Sequence, residues 1–301
     1  MRTAFIEQLI TEARNNPSIF LIVGDLGFSV VEPFAEEFPD RFLNAGVAEQ
    51  NMTGIAAGLA MEGYTVFTYS IGNFPTLRCM EQIRYDVCYH NLNVKIIAVG
   101  GGYAYGPLGT SHHSTEEIGM LRTIPNMTVC APGDPFETRA VTTLITKHKG
   151  PSYLRLGKAG EQSVHQVEIE LTLGGMVAVI EGKEIAVLST GAMLKYSYDY
   201  VVNNELPWGL YSFPFIKPLD LDGLKIIADN YEKIITIEEH QKNGGFGSAV
   251  LEALHDLFEK KDIVKIPDVE RIGIPDVFVN IAGSQEYLRT EVGIIFTSSY
   301  K

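Results

Sequence analysis

Short, nearly continuous apolar runs, each followed within two residues by Gly or Pro, constrain this chain more than any other feature. Phe20-Leu21-Ile22-Val23, Val94-Lys95-Ile96-Ile97-Ala98-Val99 and Met127-Thr128-Val129-Cys130 are of this kind. Runs without polar alternation are buried on both faces, as strands of a parallel sheet are. Between them, residues 48–61, 78–90, 115–123 and 135–147 have helical spacing and length. A second series follows Gly174-Gly175-Met176 and the Gly182-Lys183 turn. Its strand candidates are Ile185–Ser189, Trp208–Phe213, Lys233–Ile237 and Gly293–Phe296, separated by helix-like residues 194–204, 221–230 and 248–260. This alternation predicts an α/β protein of two consecutive domains, residues 1–165 and 175–301. Each is expected to be a mainly parallel sheet with helices on both faces.

Composition removes several function classes. The chain has 301 residues, with 24 Lys and Arg against 37 Asp and Glu, a formal net charge of −13. Without a basic block, such a chain is a poor partner for nucleic acid. Its apolar runs are far shorter than the roughly 20 residues that span a bilayer, so no membrane segment is expected. The first residues carry Glu7 and Glu12 and lack the apolar core of a secretory signal, so a cytoplasmic location is expected. Cys79, Cys88 and Cys130 show no CxxC spacing, which suggests neither a disulfide framework nor a metal site.

Two segments carry chemistry. In NAGVAEQNMTGIAAGLA, residues 44–60, a strand end and a glycine turn lead into a helix expected to pack closely through Gly54, Ala56, Ala57 and Gly58. Glu49 falls in its first turn, where the helix dipole favours a carboxylate and apolar neighbours desolvate it. The plainer reading is a capping or ion-paired glutamate at a solvated helix start. The second segment runs from Gly100-Gly101-Gly102 to Glu116-Glu117, after the strongest strand and before a helix that Thr115 could cap. Loops at the carboxyl ends of parallel strands are where α/β proteins place ligands. His112 and His113 put two imidazoles at one loop tip, suited to proton transfer or to an oxyanion; a solvated glycine-rich loop is the alternative. The glycines lack the GxGxxG register and no Walker lysine follows.

Taken in order, these segments resemble the C-terminal half of the transketolase family, which uses thiamine diphosphate. GVAEQNMTGIAAGLA is similar to the family's glutamate segment, GPLGTSHHSTEEIGMLRTIPNMTV (106–129) to its histidine loop and next helix, and EEHQKNGGFGSAVLEAL (238–254) to its C-terminal domain. The resemblance implies that Glu49 shares a proton with N1′ of the cofactor's aminopyrimidine, so that the 4′ nitrogen can take the thiazolium C2 proton. It matches Phe74 to an aromatic packed on that ring, Asp25 to a residue near the cofactor, and His112, with His113 beside it, to the histidine that handles substrate hydroxyls. Arg2, Ser29 and Lys158 match substrate-phosphate ligands, Lys158 standing where an arginine is expected; lysine supplies charge but no bidentate fork.

Departures and absences define the rest. Gly100 or Gly101 stands where sugar-phosphate transketolases have an earlier histidine, and Tyr105 is the nearest candidate for a missing aspartate. Leu77 and Met80 replace two further aromatics of the cofactor pocket. No Gly-Asp-Gly occurs, Val23-Gly24-Asp25-Leu26 and Pro132-Gly133-Asp134-Pro135 being the nearest fragments. The family binds the diphosphate and Mg²⁺ through that motif, so the resemblance implies a separate N-terminal subunit carrying it, and an α2β2 heterotetramer. The expected reaction moves a two-carbon ketol unit between sugars. The rivals are a decarboxylating relative (a deoxyxylulose-phosphate synthase or a 2-oxoacid dehydrogenase β subunit) and a non-catalytic subunit that keeps the fold.

Overall fold

The apolar runs form the first layer. In the computed structural model, which describes residues 1–296, β1 (Ile19–Val23), β2 (Phe42–Asn44), β3 (Thr65–Ile71), β4 (Val94–Val99), β5 (Thr128–Cys130) and β6 (Ser152–Leu156) lie in the order β5-β6-β4-β3-β1-β2, all parallel. Every residue of β4 is buried, including Lys95, whose Nζ donates to the carbonyls of His148 at 2.8 Å and Gly150 at 2.5 Å. Around this sheet lie α1 (Arg2–Asn15), α2 (Glu32–Glu37), α3 (Glu49–Met61), α4 (Met80–Gln82), α5 (Glu117–Arg122) and α6 (Pro135–Lys147). One face packs Phe5 and Leu9 of α1 and Val141 and Ile145 of α6 on Leu21 and Phe67. The other packs Met52 and Ala56 of α3 on Val66 and Ile96, and continues into the second domain.

The second layer system has β7 (Val177–Ile180), β8 (Ile185–Ser189), β9 (Gly209–Ser212), β10 (Phe215–Lys217), β11 (Lys233–Gln241) and β12 (Asp268–Ile274), with α7 (Met193–Asn203), α8 (Leu221–Asn230), α9 (Phe246–Glu259) and α10 (Gln285–Glu291). Five of these strands form a sheet in the order β12-β11-β8-β9-β7, parallel except where β7 meets β9. The sixth, β10, joins the first sheet, antiparallel to β5. Two mainly parallel sheets with helices on both faces are therefore present, as the alternation requires, and β10 stitches them together.

Several local expectations fail, each for a physical reason. Residues 293–296 are turn and coil rather than strand. Their apolar side chains plug the core instead: Ile294 is fully buried, and the Phe296 ring stacks on Tyr196 and Tyr200. The fourth parallel strand is β12, an edge strand whose Asp268, Glu270 and Arg271 dilute its apolar signal. Likewise β3 and β6 bury Thr68, Ser70, Ser152 and Arg155, so neither reads as an apolar run. Thr115 does not cap α5, which begins at Glu117 with Glu116 in the cap position; the Thr115 carbonyl accepts from the Gln241 N–H at 2.9 Å. The stretch 78–90 is a 3₁₀ turn and α4 followed by a π-helix over Ile83–Tyr89. On α3, Ala56 and Ala57 are buried, but Gly54 and Gly58 face outward, where an added Cβ would meet nothing.

Candidate active site

The order β2-β1-β3 makes the crevice between β1 and β3 a topological switch point, outside whose carboxyl ends ligands bind. Gly24 ends β1, and an added Cβ there would lie 3.5 Å from both Glu49 Cγ and Ser70 Oγ. Glu49 reaches this point because Gly46, at φ 72°, turns the chain sharply from β2 into α3. It is only 1% exposed. Its Oε2 lies 2.8 Å from Arg78 Nη1, whereas its Oε1 is buried with no partner among the described residues. Ser70 Oγ is also buried and unpartnered there. An unmet buried polar atom costs about 1–3 kcal/mol, so these two beside one crevice are open to a partner from a ligand or an ordered water.

A chain of contacts runs from Glu49 to the histidine loop. The Arg78 guanidinium sits 4.8 Å over the Phe74 ring, and that ring meets His112 edge-on with centroids 5.4 Å apart. Gly102 and Ser114 pin the loop ends by exchanging backbone hydrogen bonds of 2.7 and 3.0 Å. The Asn73 amide donates to the carbonyls of Ser111 and His113. The two imidazoles part company here rather than sharing a loop tip. His112 is half-buried against Phe74, with Nδ1 3.0 Å from Ser111 Oγ. His113 is 4% exposed, meets Tyr103 edge-on at 5.0 Å, and has an Nε2 with no partner among the described residues. Burial lowers its pKa, only partly offset by a hydrogen bond to the Gly106 backbone. A cavity of about 160 Å³ lies beside it, between Asn73, Thr110, Glu116 and Val277–Val279 of the second domain.

The second domain props this loop from behind. Glu239 accepts from the Tyr103 N–H at 2.6 Å and pairs with Arg289. Arg155 donates to the carbonyls of Ser114 and Glu239, and its Nε lies 2.9 Å from Glu117 Oε1. Nothing local in the sequence marks these contacts, because their partners lie far apart along the chain.

Residues 1–160 match the transketolase pyrimidine-binding domain and residues 174–294 the transketolase C-terminal domain. The chain belongs to the transketolase family. One subunit of the apulose-4-phosphate transketolase of Phocaeicola vulgatus is 34% identical over 272 residues, 89% of this chain and 87% of that one. The solved structure of a split-gene transketolase in its inactive beta4 tetramer superposes with a TM-score of 0.85 at 33% identity, covering 97% of this chain and 93% of that chain. A 1-deoxy-D-xylulose-5-phosphate synthase of Geobacter sulfurreducens is 34% identical over 296 residues, which is 96% of this chain but 45% of that one.

Transketolases depend on thiamine diphosphate, and the residues present fit its aminopyrimidine half. Glu49 Oε1 and Ser70 Oγ are unmet polar atoms among the described residues, the missing side chain at Gly24 leaves space beside them, and Phe74 offers an aromatic face. Asp25 is exposed at φ 57°, its N–H donating to Asn44 Oδ1 at 3.0 Å and its carboxylate accepting from Asn44 Nδ2 at 2.9 Å. Ser29 is exposed at φ 64°, its N–H donating to Glu32 Oε1 at 2.7 Å. Arg2 opens α1 with a buried Nε that has no partner among the described residues, and Lys158 is exposed after β6. Among the described residues no hydrogen bond or ion pair joins Arg2, Ser29 and Lys158. A Cβ at Gly100 would strike the Tyr105 ring, and one at Gly101 the Arg155 side chain, so neither position takes a larger residue unless that neighbour moves. Arg78, Asn73 and Ser70 are among the site residues that sequence reasoning missed. Arg78 stands 29 positions from Glu49, and no spacing rule spans that gap.

Proposed function

We propose that this chain is the C-terminal subunit of a split, thiamine-diphosphate-dependent transketolase. In this reading residues 1–165 bind the aminopyrimidine and residues 175–301 form the C-terminal domain. The single observation that carries it is the buried Glu49, one oxygen held by Arg78 and the other unmet at the β1/β3 crevice. When bound, the cofactor supplies a nucleophilic carbon that accepts the two-carbon unit. Glu49 holds the proton at the N1′ position, where its burial keeps water from competing for the carboxylate. Phe74 covers one ring face and Asp25 fixes the end of β1 beside it. His112 handles substrate hydroxyls, and His113, its pKa lowered by burial, can accept a proton next to it. Arg2, Ser29 and Lys158 take the anionic end of the sugar.

A separate N-terminal subunit carrying Gly-Asp-Gly would hold the diphosphate and Mg²⁺, giving an α2β2 enzyme. Two observations support this division: the Phocaeicola relative is one subunit of its enzyme, and the similar beta4 tetramer is inactive. A cytoplasmic setting suits the three free, buried cysteines. Calorimetric titration of the isolated chain with cofactor and Mg²⁺ tests the split. An aromatic contact adds about 0.5–1.5 kcal/mol beyond its area and a charge-assisted hydrogen bond about 1.5–3, which together reach only the low end of the roughly 4–15 that immobilising a ligand costs. Binding should therefore appear only with the partner, and micromolar binding without it refutes the reading. The likeness to the Geobacter synthase makes pyruvate decarboxylation the competing reaction. Assaying the assembled enzyme for both reactions decides between them.

A further inference from the structure

The Glu49 carboxylate has a single partner among the described residues, and that partner is anchored independently of it. Arg78 donates its backbone N–H to the Asn73 carbonyl at 3.4 Å. Its own carbonyl accepts from Gln50 Nε2 at 3.1 Å, which ties it back to α3. Its guanidinium lies over Phe74 while Nη1 reaches Glu49 Oε2. One side chain thus touches the proton-sharing acid and the ring that faces the pyrimidine, and it is 48% exposed at the crevice rim.

A glutamate in a first helical turn has other places to turn. The free amides there attract carboxylates, and the two oxygens exchange places when the carboxylate rotates. Here one oxygen, Oε2, is held by Arg78 and the other, Oε1, is left as the unmet atom, so whichever oxygen the guanidinium takes, the carboxylate keeps one orientation. We propose that Arg78 is a positioning residue, which by holding Oε2 reserves Oε1 for the N1′ nitrogen of the aminopyrimidine and sets Phe74 and Glu49 as one wall of the pocket. The proposal rests on the function inferred above and adds to it a residue that acts through Glu49 rather than on the substrate.

The experiment uses the chain assembled with its diphosphate-binding partner and compares wild type, Arg78→Gln, Arg78→Lys and Glu49→Gln. Two quantities are measured: exchange of the bound cofactor's C2 proton by NMR, and calorimetric affinity for thiamine diphosphate and for its analogue with C–H in place of N1′. One charge-assisted hydrogen bond corresponds to about 10–100-fold. Arg78→Gln should slow exchange by about that factor and weaken the native cofactor while leaving the analogue unaffected. Arg78→Lys should recover part of the loss, because an ammonium can hold Oε2 without covering Phe74 as a plane. Glu49→Gln should abolish exchange and the distinction between cofactor and analogue. If Arg78→Gln weakens both ligands equally, or exchanges at the wild-type rate while Glu49→Gln does not, the positioning role is wrong and the function stands. If Glu49→Gln also exchanges normally, the function falls with it.

Discussion

Replacing Glu239 by Ala tests how the second domain holds the histidine loop. Glu239 is 3% exposed. It accepts from the Tyr103 N–H at 2.6 Å, from Gln285 Nε2 at 3.0 Å to each oxygen, and from Arg289 Nε at 2.6 Å. Alanine leaves the Arg289 guanidinium, 12% exposed, without its carboxylate. It also leaves the buried Tyr103 N–H without an acceptor. Breaking a buried pair costs about 3–5 kcal/mol, and an orphaned donor about 1–3. The two losses share one carboxylate and do not add, and water can reach part of Arg289, so about 4 kcal/mol in total is expected. At roughly 2–3 °C per kcal/mol for a chain of this size, the Tm falls by about 8–12 °C. Thermal and urea unfolding of the isolated chain measure it, with Glu239→Gln alongside. Gln keeps an acceptor for Tyr103 and loses only the charge, so its cost should fall between wild type and alanine. A loss below about 1 kcal/mol for alanine would mean that this carboxylate does not hold the domain junction.

Two further outcomes follow from the same geometry. His112→Ala in the assembled enzyme should lower kcat/KM by about 10²–10⁴-fold; an unchanged rate with the sugar donor would return His112 to a solvated-loop residue. Glu238 predicts a pH effect: burial pushes its pKa up to about 7, against the Gly247 and Phe246 N–H groups that donate to it. Between the ordinary carboxyl range and pH 7 the folded chain keeps a proton that the unfolded chain has released. The resulting stability is complete below about pH 4.3 and is lost as pH rises through 7. Urea midpoints across that window should decline less steeply in Glu238→Gln than in wild type; parallel slopes would show that Glu238 is not the group responsible.

The sequence by itself determined the layers and the two chemical segments. Apolar runs such as Val94–Val99 can be satisfied only in a sheet covered on both faces, and a turn glycine ahead of a helix start places Glu49 at a strand's carboxyl end through short-range sterics alone. Wherever burial came with polar side chains the signal vanished, as at Thr68 and Ser70 in β3 or Arg155 in β6. An edge strand such as β12 hides for the opposite reason: one side meets water, so charge is allowed there. What only the tertiary structure decided is which distant groups meet at the crevice. Arg78 finds Glu49 because the order β2-β1-β3 brings the loop after β3 over the start of α3. His113 turns inward because Tyr103, held by Glu239 of the second domain, gives its ring a buried face to rest on. Strand order and domain docking come from the whole core closing at once, and no window of neighbouring residues contains that information.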